Sequence, residues 1–369
     1  MAASEIDHHW MTRAIQLARK GWYTTTPNPR VGCVIVGPQG VLSEGAHLKA
    51  GLGHAEANAI ADAKQSLEGA TAYVTLEPCS HTGKTGPCSD ALIAAKVKRV
   101  VVGMTDPNPL VAGQGIQRLE NAGIEVEVGV LAEQCEELNP GFLKRMKTDF
   151  PRVTVKMASS LDGKTALANG KSKWITSSQA RSDVQRFRAE SCAVLSSAET
   201  VLSDNARLTV RQEQLPATMK QYGKSSLRQP DRIILDGRCR LTGEEPLFEQ
   251  LDSLVIVRPE GQPAPRPDVR LLSLPYTRHR FDLPRLVAEL GARQYNELWV
   301  EAGPALSGAF VAAGLVDRLV VYIAPKLMGH HSKDLLALPM MNEMNQVIQM
   351  QWESVTNIGP DVRLIAEFK

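Results

Sequence analysis

At 369 residues the chain is too long for one average domain, and two is the natural division. With 43% hydrophobic and 22% charged residues it has enough apolar side chain to build real cores, which excludes a disordered chain. A net charge of +2 gives no field for nucleic acid or an anionic membrane, so neither is an expected partner; no run of about 20 apolar residues predicts a transmembrane helix.

The N-terminal stretch lacks the basic-then-apolar pattern of a secretory leader and reads as an amphipathic helix over 10–20, ending at Gly21. "VGCVIVG" and "VLSEGAHL" read as two strands joined by a turn at "PQG". A helix opens at "GHAEANAI", "ATAYVTLEP" is a strand that stops at Pro78, and "CSDALIAAK" is a helix. "VKRVVVGM" is a strand, "DPNPLVAGQG" a loop, and "IQRLENAG" with "IEVEVGV" another helix and strand. "AEQCEELNPGFLKRMK" closes this half as a helix interrupted near Pro140. "TDFPRV" is the expected boundary, giving units 1–148 and 149–369. Beyond it the alternation restarts: strands at "VTVKMASSLDG", "CAVLSS", "DRIILDG", "SLVIVRP", "ELWVEAG" and "DRLVVYIAPKL", and helices at "SSQARSDVQRFRAE", "DLPRLVAELGA" and "ALSGAFVAAGL". Residues 211–230 are polar and read as a surface excursion, and no internal repeat is visible. Both halves are therefore expected to be layered α/β domains.

Six cysteines in so long a chain do not make a disulfide framework, and a reducing cytoplasm is the simplest setting. Cys33, Cys135, Cys192 and Cys239 are scattered and read as small buried hydrophobes. Cys79 and Cys88 differ, because each follows a proline in a Gly/Pro-punctuated loop. With His54 they form a set of three soft ligands, which suits Zn²⁺ and leaves a fourth position for water. Zinc lowers the pKa of bound water to about 7, so hydroxide becomes available at neutral pH. Glu56, two residues after His54, is placed in the first turn of the same helix to shuttle a proton from that water to a leaving amine. Alone, "HAE" is weak and two loop cysteines are often only thiols. A structural zinc with His81 as fourth ligand is the competing reading. The combination of "HAE", a strand, "PC" and a second "PC" is far more specific, and it follows the H-x-E…P-C pattern of zinc nucleobase deaminases.

"TPNPRVGCVIV", "EGAHLKAGLGHAEANAI", "TAYVTLEPCSHTGKTGPCSDALI" and "TDPNPLVAGQG" resemble the deaminase half of the bifunctional riboflavin-biosynthesis deaminase–reductase family. The eight residues between the cysteines depart from nucleoside and tRNA deaminases and agree with this family. The resemblance implies a cytidine-deaminase-like three-layer α/β/α domain, zinc on His54, Cys79 and Cys88, and Glu56 as shuttle. It further implies that Asn28, His47 and Lys84 contact the pyrimidine or its ribose phosphate. On residue type alone, Lys84 reads as a solvated loop lysine, Asn28 as a turn residue between prolines and His47 as a surface histidine.

In the second half, "ELWVEAGPALSGAF" is a buried strand running through Gly303-Pro304 into a helix of small residues, which presents free backbone N–H groups to an anion. It is not G-x-G-x-x-G, and a tight strand–helix turn explains it equally well. "KMASSLDGKTA", "GKSKWITS", "RFRAE", "ETVLSDNARLTVR" and "YIAPKLMG" resemble the reductase half of the same family, which implies a dihydrofolate-reductase-like α/β domain using NADPH. By that resemblance Ala158, Trp174, Thr200, Asp204 and the turn Gly303, Pro304, Ala305, Leu306, Ser307, Gly308 and Ala309 line the cofactor. Lys156, Ser172, Arg188, Leu208, Arg211 and Glu301 hold the substrate, with Lys156 or Asp204 relaying a proton near the reacting carbon. Against this, Trp174 reads as plain core, Asp204 as a cap or turn, and Arg188 as a solvated surface arginine.

The expected protein is thus a two-step cytoplasmic enzyme, and a homo-oligomer. It removes an amine from a diamino-ribosylamino-pyrimidinone 5′-phosphate and then reduces the ribosyl chain to ribityl. Two other readings compete: a tRNA or nucleoside deaminase with an inactive appendage, and a zinc-stabilised nucleotide-binding protein. The near-neutral charge and wide cysteine spacing disfavour the first. Glu56, which a structural zinc does not need, disfavours the second.

Overall fold

Ser4 sets the first helix. Its hydroxyl accepts from the Asp7 amide at 3.2 Å, and the Asp7 carboxylate accepts from the Ser4 amide, a capping box that starts α1 (Glu5–Ala18) upstream of the expected residue 10. The computed structural model describes residues 4–80, 86–108, 112–216 and 227–368. The chain packs as two units, Met1–Asp149 and Phe150–Lys369.

In the first unit, β1 (Gly32–Gly37) and β2 (Gly40–Ala46) form the expected antiparallel pair, followed by α2 (Ala55–Asp62) and β3 (Thr71–Val74). Then come α3 (Cys88–Ala94), β4 (Arg99–Val102), α4 (Gln114–Asn121) and β5 (Glu125–Val128). The unit ends with α5 (Ala132–Glu136) and α6 (Pro140–Thr148). The expected interruption near Pro140 falls between α5 and α6, and Pro140 itself takes the first turn of α6, where its missing N–H costs nothing. The sheet order is β2-β1-β3-β4-β5, antiparallel at β1 and parallel from β3 to β5. Asp7, 2% exposed, bolts α1 to the sheet: it accepts from Tyr73 at 3.0 Å and from both terminal nitrogens of Arg99. Burial alone would raise its pKa, but Arg99, Ser4 and Tyr73 hold it well below the usual carboxylate range.

The second unit opens with β6 (Arg152–Ser160), β7 (Lys164–Ala166), α7 (Ser178–Glu190), β8 (Ala193–Ser197) and α8 (Ala198–Asp204). It continues through β9 (Asp231–Leu235), β10 (Leu254–Pro259), β11 (Arg270–Leu274), the ribbon β12 (Tyr276–Thr277) with β13 (Arg280–Phe281), and α9 (Leu283–Ala292). The remaining elements are β14 (Glu297–Glu301), α10 (Pro304–Ala312), β15 (Arg318–Ala324), β16 (Lys333–Asp334), β17 (Met350–Ile358) and β18 (Asp361–Phe368). Nine strands form one sheet in the order β11-β10-β9-β8-β14-β6-β15-β18-β17. It is parallel from β11 to β15 and antiparallel at β18 and β17. From β6 the chain moves first toward β8 and later to β15 on the other side. Open α/β sheets bind ligands at the carboxyl ends of the strands beside such a reversal. The sequence reading assigned nothing to α8, β11, β17 or β18. β17 is the exposed edge strand, paired only with β18, and β18 lies between it and β15 with few buried positions, so no continuous buried apolar run marks either.

Candidate active sites

The first unit gathers its site at the opening of α2. His54 is the N-cap, in extended conformation, and Glu56 sits in the first turn. Cys79 lies just beyond β3, and Cys88 begins α3 after Pro87. His54 Nδ1 is 3.3 Å from Cys88 Sγ and 3.6 Å from Cys79 Sγ, and the three ligand atoms all lie within 4.8 Å of one another. Tetrahedral bonds of ~2.0–2.1 Å to nitrogen and ~2.3 Å to sulfur would set N and S about 3.5 Å apart. The donor set therefore fits Zn²⁺ in both chemistry and spacing. His81, the fourth ligand of the competing structural cluster, and Lys84 lie outside the described residues.

Glu56 is 3% exposed, and burial pushes its pKa up to about 7. The Cys88 side chain holds the Cys79 thiol below its ordinary value, and the Cys88 amide also donates to Cys79 Sγ at 3.3 Å. That contact and burial push Cys88 itself upward. Zn²⁺ on the two cysteines would hold both as thiolates.

Asn28 and His47 come to the same place. His47 is not on the surface: it is 2% exposed, its ring 5.5 Å from that of His54. Its Nδ1 contacts the Gly53 carbonyl at 2.9 Å and its Nε2 contacts Asn28 Nδ2 at 3.2 Å. Burial lowers its pKa.

The sequence reading missed Glu77. It is 3% exposed, and its carboxylate accepts from the amides of Asp106, Gly113, Gly115 and Ile116. Two residues before Cys79, it ties the ligand loop to the start of α4, where the helix dipole favours a negative charge. The available signal was an acidic residue closing an otherwise apolar strand in "YVTLEPC".

In the second unit Lys156 and Glu301 are register partners across β6 and β14. Glu301 holds Arg188 in a two-point pair of 2.5 and 2.8 Å and accepts from Trp299 Nε1 at 2.7 Å. Arg188 Nη1 donates to the Thr209 carbonyl at 2.9 Å. Arg188 is 8% exposed and so is no solvated arginine. Burial opposes the Glu301 charge, but Arg188 and Lys156 reverse that and hold its pKa at about 2. Burial lowers the Lys156 pKa, while Glu301 and Asp204 pull it back.

The segment after α8 returns beside α7: besides the Thr209 contact, the Arg211 amide donates to Gln185 Oε1 at 2.9 Å. Arg211 is exposed, its guanidinium 3.5 Å from Gln214 Oε1. Leu208 has its side chain in the core and its backbone at φ 58°. Asp204 is exposed at the last position of α8, and the Thr200 amide donates to the Ser197 hydroxyl oxygen at the start of that helix. Trp174 is 65% exposed, which excludes plain core, with Arg181 stacked at 4.4 Å and Lys326 bonded to its carbonyl. Ala158 and Ser172 are half-buried.

Gly303 caps α10, and Pro304, Ala305 and Leu306 form its open first turn. Ser307 and Gly308 are buried and Ala309 is half-buried. A Cβ on Gly308 would lie 2.3 Å from the Ala337 carbonyl, so its missing side chain serves packing of the C-terminal segment.

A His/Cys/Cys cluster with a buried glutamate, fused to an α/β unit with charged groups at its strand ends, defines a two-site enzyme, a hydrolytic deaminase joined to a second catalytic unit. Residues 4–104 match the cytidine and deoxycytidylate deaminase zinc-binding region, and residues 151–364 match the RibD C-terminal domain. The riboflavin biosynthesis protein RibD of Escherichia coli strain K12 is 49% identical over 360 residues, covering 97% of this chain and 98% of that one. Its Haemophilus influenzae counterpart is 47% identical, covering 98% and 97%. The structure of Acinetobacter baumannii RibD superposes with a TM-score of 0.90 at 42% identity, covering 98% of this chain and 99% of that one. The chain belongs to the RibD family of riboflavin biosynthesis enzymes. It is bifunctional, with a cytidine-deaminase-like deaminase as its first unit and a reductase as its second.

Proposed function

We propose that the first unit hydrolyses the exocyclic amine of a diamino-ribosylamino-pyrimidinone 5′-phosphate and that the second reduces the ribosyl chain of the product to ribityl. A Thermotoga maritima structure described as a diaminohydroxyphosphoribosylaminopyrimidine deaminase and 5-amino-6-(5-phosphoribosylamino)uracil reductase supports this; it is 32% identical with a TM-score of 0.86 over 99% of each chain. The observation that carries the reading is the juxtaposition of His54, Cys79 and Cys88 with buried Glu56. Zinc held by the three ligands supplies Lewis acidity at neutral pH. Glu56 takes a proton from the attacking water and delivers it to the departing amine as the C–N bond breaks. A carboxyl group with a pKa near neutrality serves both halves of that transfer. Asn28 and His47 present polar edges to the pyrimidine.

In the second unit bound NADPH would supply the hydride that reduces the ribosyl chain. Lys156 or Asp204 relays the proton that balances the reduction, and Glu301 opposes the loss of the Lys156 charge that burial favours. Arg211 and Arg188 bind the phosphate. Arg188 offers only the N–H groups that Glu301 and Thr209 leave over, so Arg211 carries the greater part. The open turn of α10 and the 174–204 region line the cofactor.

Two units, 1–148 and 149–369, carry the separate reactions. No helix among the described residues is long and apolar enough to cross a membrane. A cytoplasmic setting is our reading, supported by the six free thiols. We further propose a homodimer through the edge strand β17, whose Trp352 and Val355 are 64% and 63% exposed. Two copies of one edge pair antiparallel with matched apolar faces. Light scattering of Trp352→Lys against wild type tests it; an unchanged mass excludes that edge. The test of the function is product analysis. Zinc-loaded protein and NADPH should release ammonium and then add two hydrogens to the product; ammonium without NADPH oxidation would leave the second assignment without support.

A further inference from the structure

One carboxamide on α2 joins the two halves of the deaminase site. Asn58 Nδ2 donates to the Ala46 carbonyl at 2.8 Å and to the Gly53 carbonyl at 3.1 Å. Ala46 immediately precedes His47, and Gly53 immediately precedes the ligand His54. The Asn58 amide also donates to the His54 carbonyl at 2.9 Å in the first turn of the helix. The approach is close: a Cβ on Gly53 would lie 2.5 Å from Asn58 Oδ1, so only glycine admits the clamp.

The Gly53 carbonyl is the shared point, because His47 Nδ1 also contacts it, at 2.9 Å. A carbonyl only accepts, so Nδ1 carries the hydrogen. In the neutral ring Nε2 is then a lone pair. It accepts from Asn28 Nδ2 at 3.2 Å, which fixes the Asn28 carboxamide with its nitrogen on His47. Chemistry settles this orientation of the amide.

We propose that Asn58 is a positioning residue of the deaminase: through the Gly53 and Ala46 carbonyls it fixes the tautomer and place of His47, and through His47 the orientation of Asn28. The proposal rests on the reading that His47 and Asn28 meet the pyrimidine. Asn58 touches neither the cysteines nor the His54 ring among the described contacts, so its loss should spare the metal.

The test uses the full-length zinc-loaded protein with Asn58→Ala, the isosteric Asn58→Asp, His47→Gln and the double variant Asn58→Ala/His47→Gln. Zinc should stay at about one per chain. Deaminase KM should rise on the order of 10-fold in both Asn58 variants, the scale of one or two lost hydrogen bonds, with kcat changed far less. Asn58→Ala should add little to His47→Gln, because the two act in series. Ring ¹⁵N spectra, with His47 assigned by its loss in His47→Gln, should show the Nδ1–H tautomer in wild type and a mixture in Asn58→Ala. Unchanged KM with an unchanged tautomer overturns the proposal. So does zinc loss in both Asn58 variants, which would make the residue a support for the ligand helix. A shifted tautomer with normal KM in Asn58→Ala and in His47→Gln overturns the substrate role of His47, and the role of Asn58 in the reaction falls with it.

Discussion

Glu301→Gln removes the charge from one half of a pair buried on both sides, with side chains 10% and 11% exposed. The carboxamide keeps the shape and one acceptor, but nothing then balances Arg188, whose guanidinium stays protonated. Breaking a buried pair from one side costs about 3–5 kcal/mol. Titration gives an independent figure. Burial would raise the Glu301 pKa, yet Arg188, Lys156 and Trp299 bring it from 4.5 to about 2. At about 1.4 kcal/mol per unit that difference is on the order of 3 kcal/mol. The folded pKa lies below the unfolded one, so this contribution is complete above about pH 4.3 and is lost as pH falls toward the folded value. The assay is urea unfolding followed by tryptophan fluorescence, in which Trp299 reports directly because its indole N–H donates to Glu301. At pH 7 the variant's second-unit transition should be weaker by about 3 kcal/mol. The gap to wild type should close as pH falls below about 4.3. Arg188→Met with Glu301→Leu should recover part of the loss, since the guanidinium is no longer orphaned, while Lys156 and the Trp299 N–H still lose their partner. A gap under about 1 kcal/mol at pH 7, the size of an exposed pair, or one that ignores acid would refute the reasoning.

Cys88→Ser should lose most of the zinc that wild type binds at about one per chain, and metal analysis showing full occupancy would remove Cys88 from the ligand set. Glu56→Gln should retain zinc and abolish ammonium release while NADPH oxidation continues on already deaminated substrate; loss of both activities in a folded variant would refute two separate sites. Arg211→Ala should lower reductase kcat/KM about 10- to 100-fold, the worth of a charge-assisted hydrogen bond, with Arg211→Lys rescuing it only partly and deamination unchanged. Its exposed guanidinium makes only a long 3.5 Å hydrogen bond to Gln214 Oε1 among the described contacts, so the variant's melting temperature should match wild type; a stability loss would mark it as structural.

Most of the deaminase site was legible because its parts are local. A histidine and glutamate two residues apart at a helix entrance, and two Pro-Cys steps around one strand-to-helix loop, can be read as ligands before any fold is known. Alternating strands and helices likewise announced two α/β units, since burial periodicity is written into each element. Glu77 and Asn58 escaped because their partners are backbone groups, and a backbone amide or carbonyl has no letter in the sequence. Arg188 and Glu301 were both named, but as separate holders of the substrate. Their separation of 113 positions hid that they neutralise each other, and only the packing of α7 against β14 brings them together. His47 and Trp174 changed places in the same way. The histidine that read as surface is buried by the loop before α2, and the tryptophan that read as core is exposed. Residue type and spacing determined which chemistry the chain carries. Tertiary structure decided which charges are spent on each other and which remain for a ligand, because a charge's worth depends on the burial and partners that only distant segments supply.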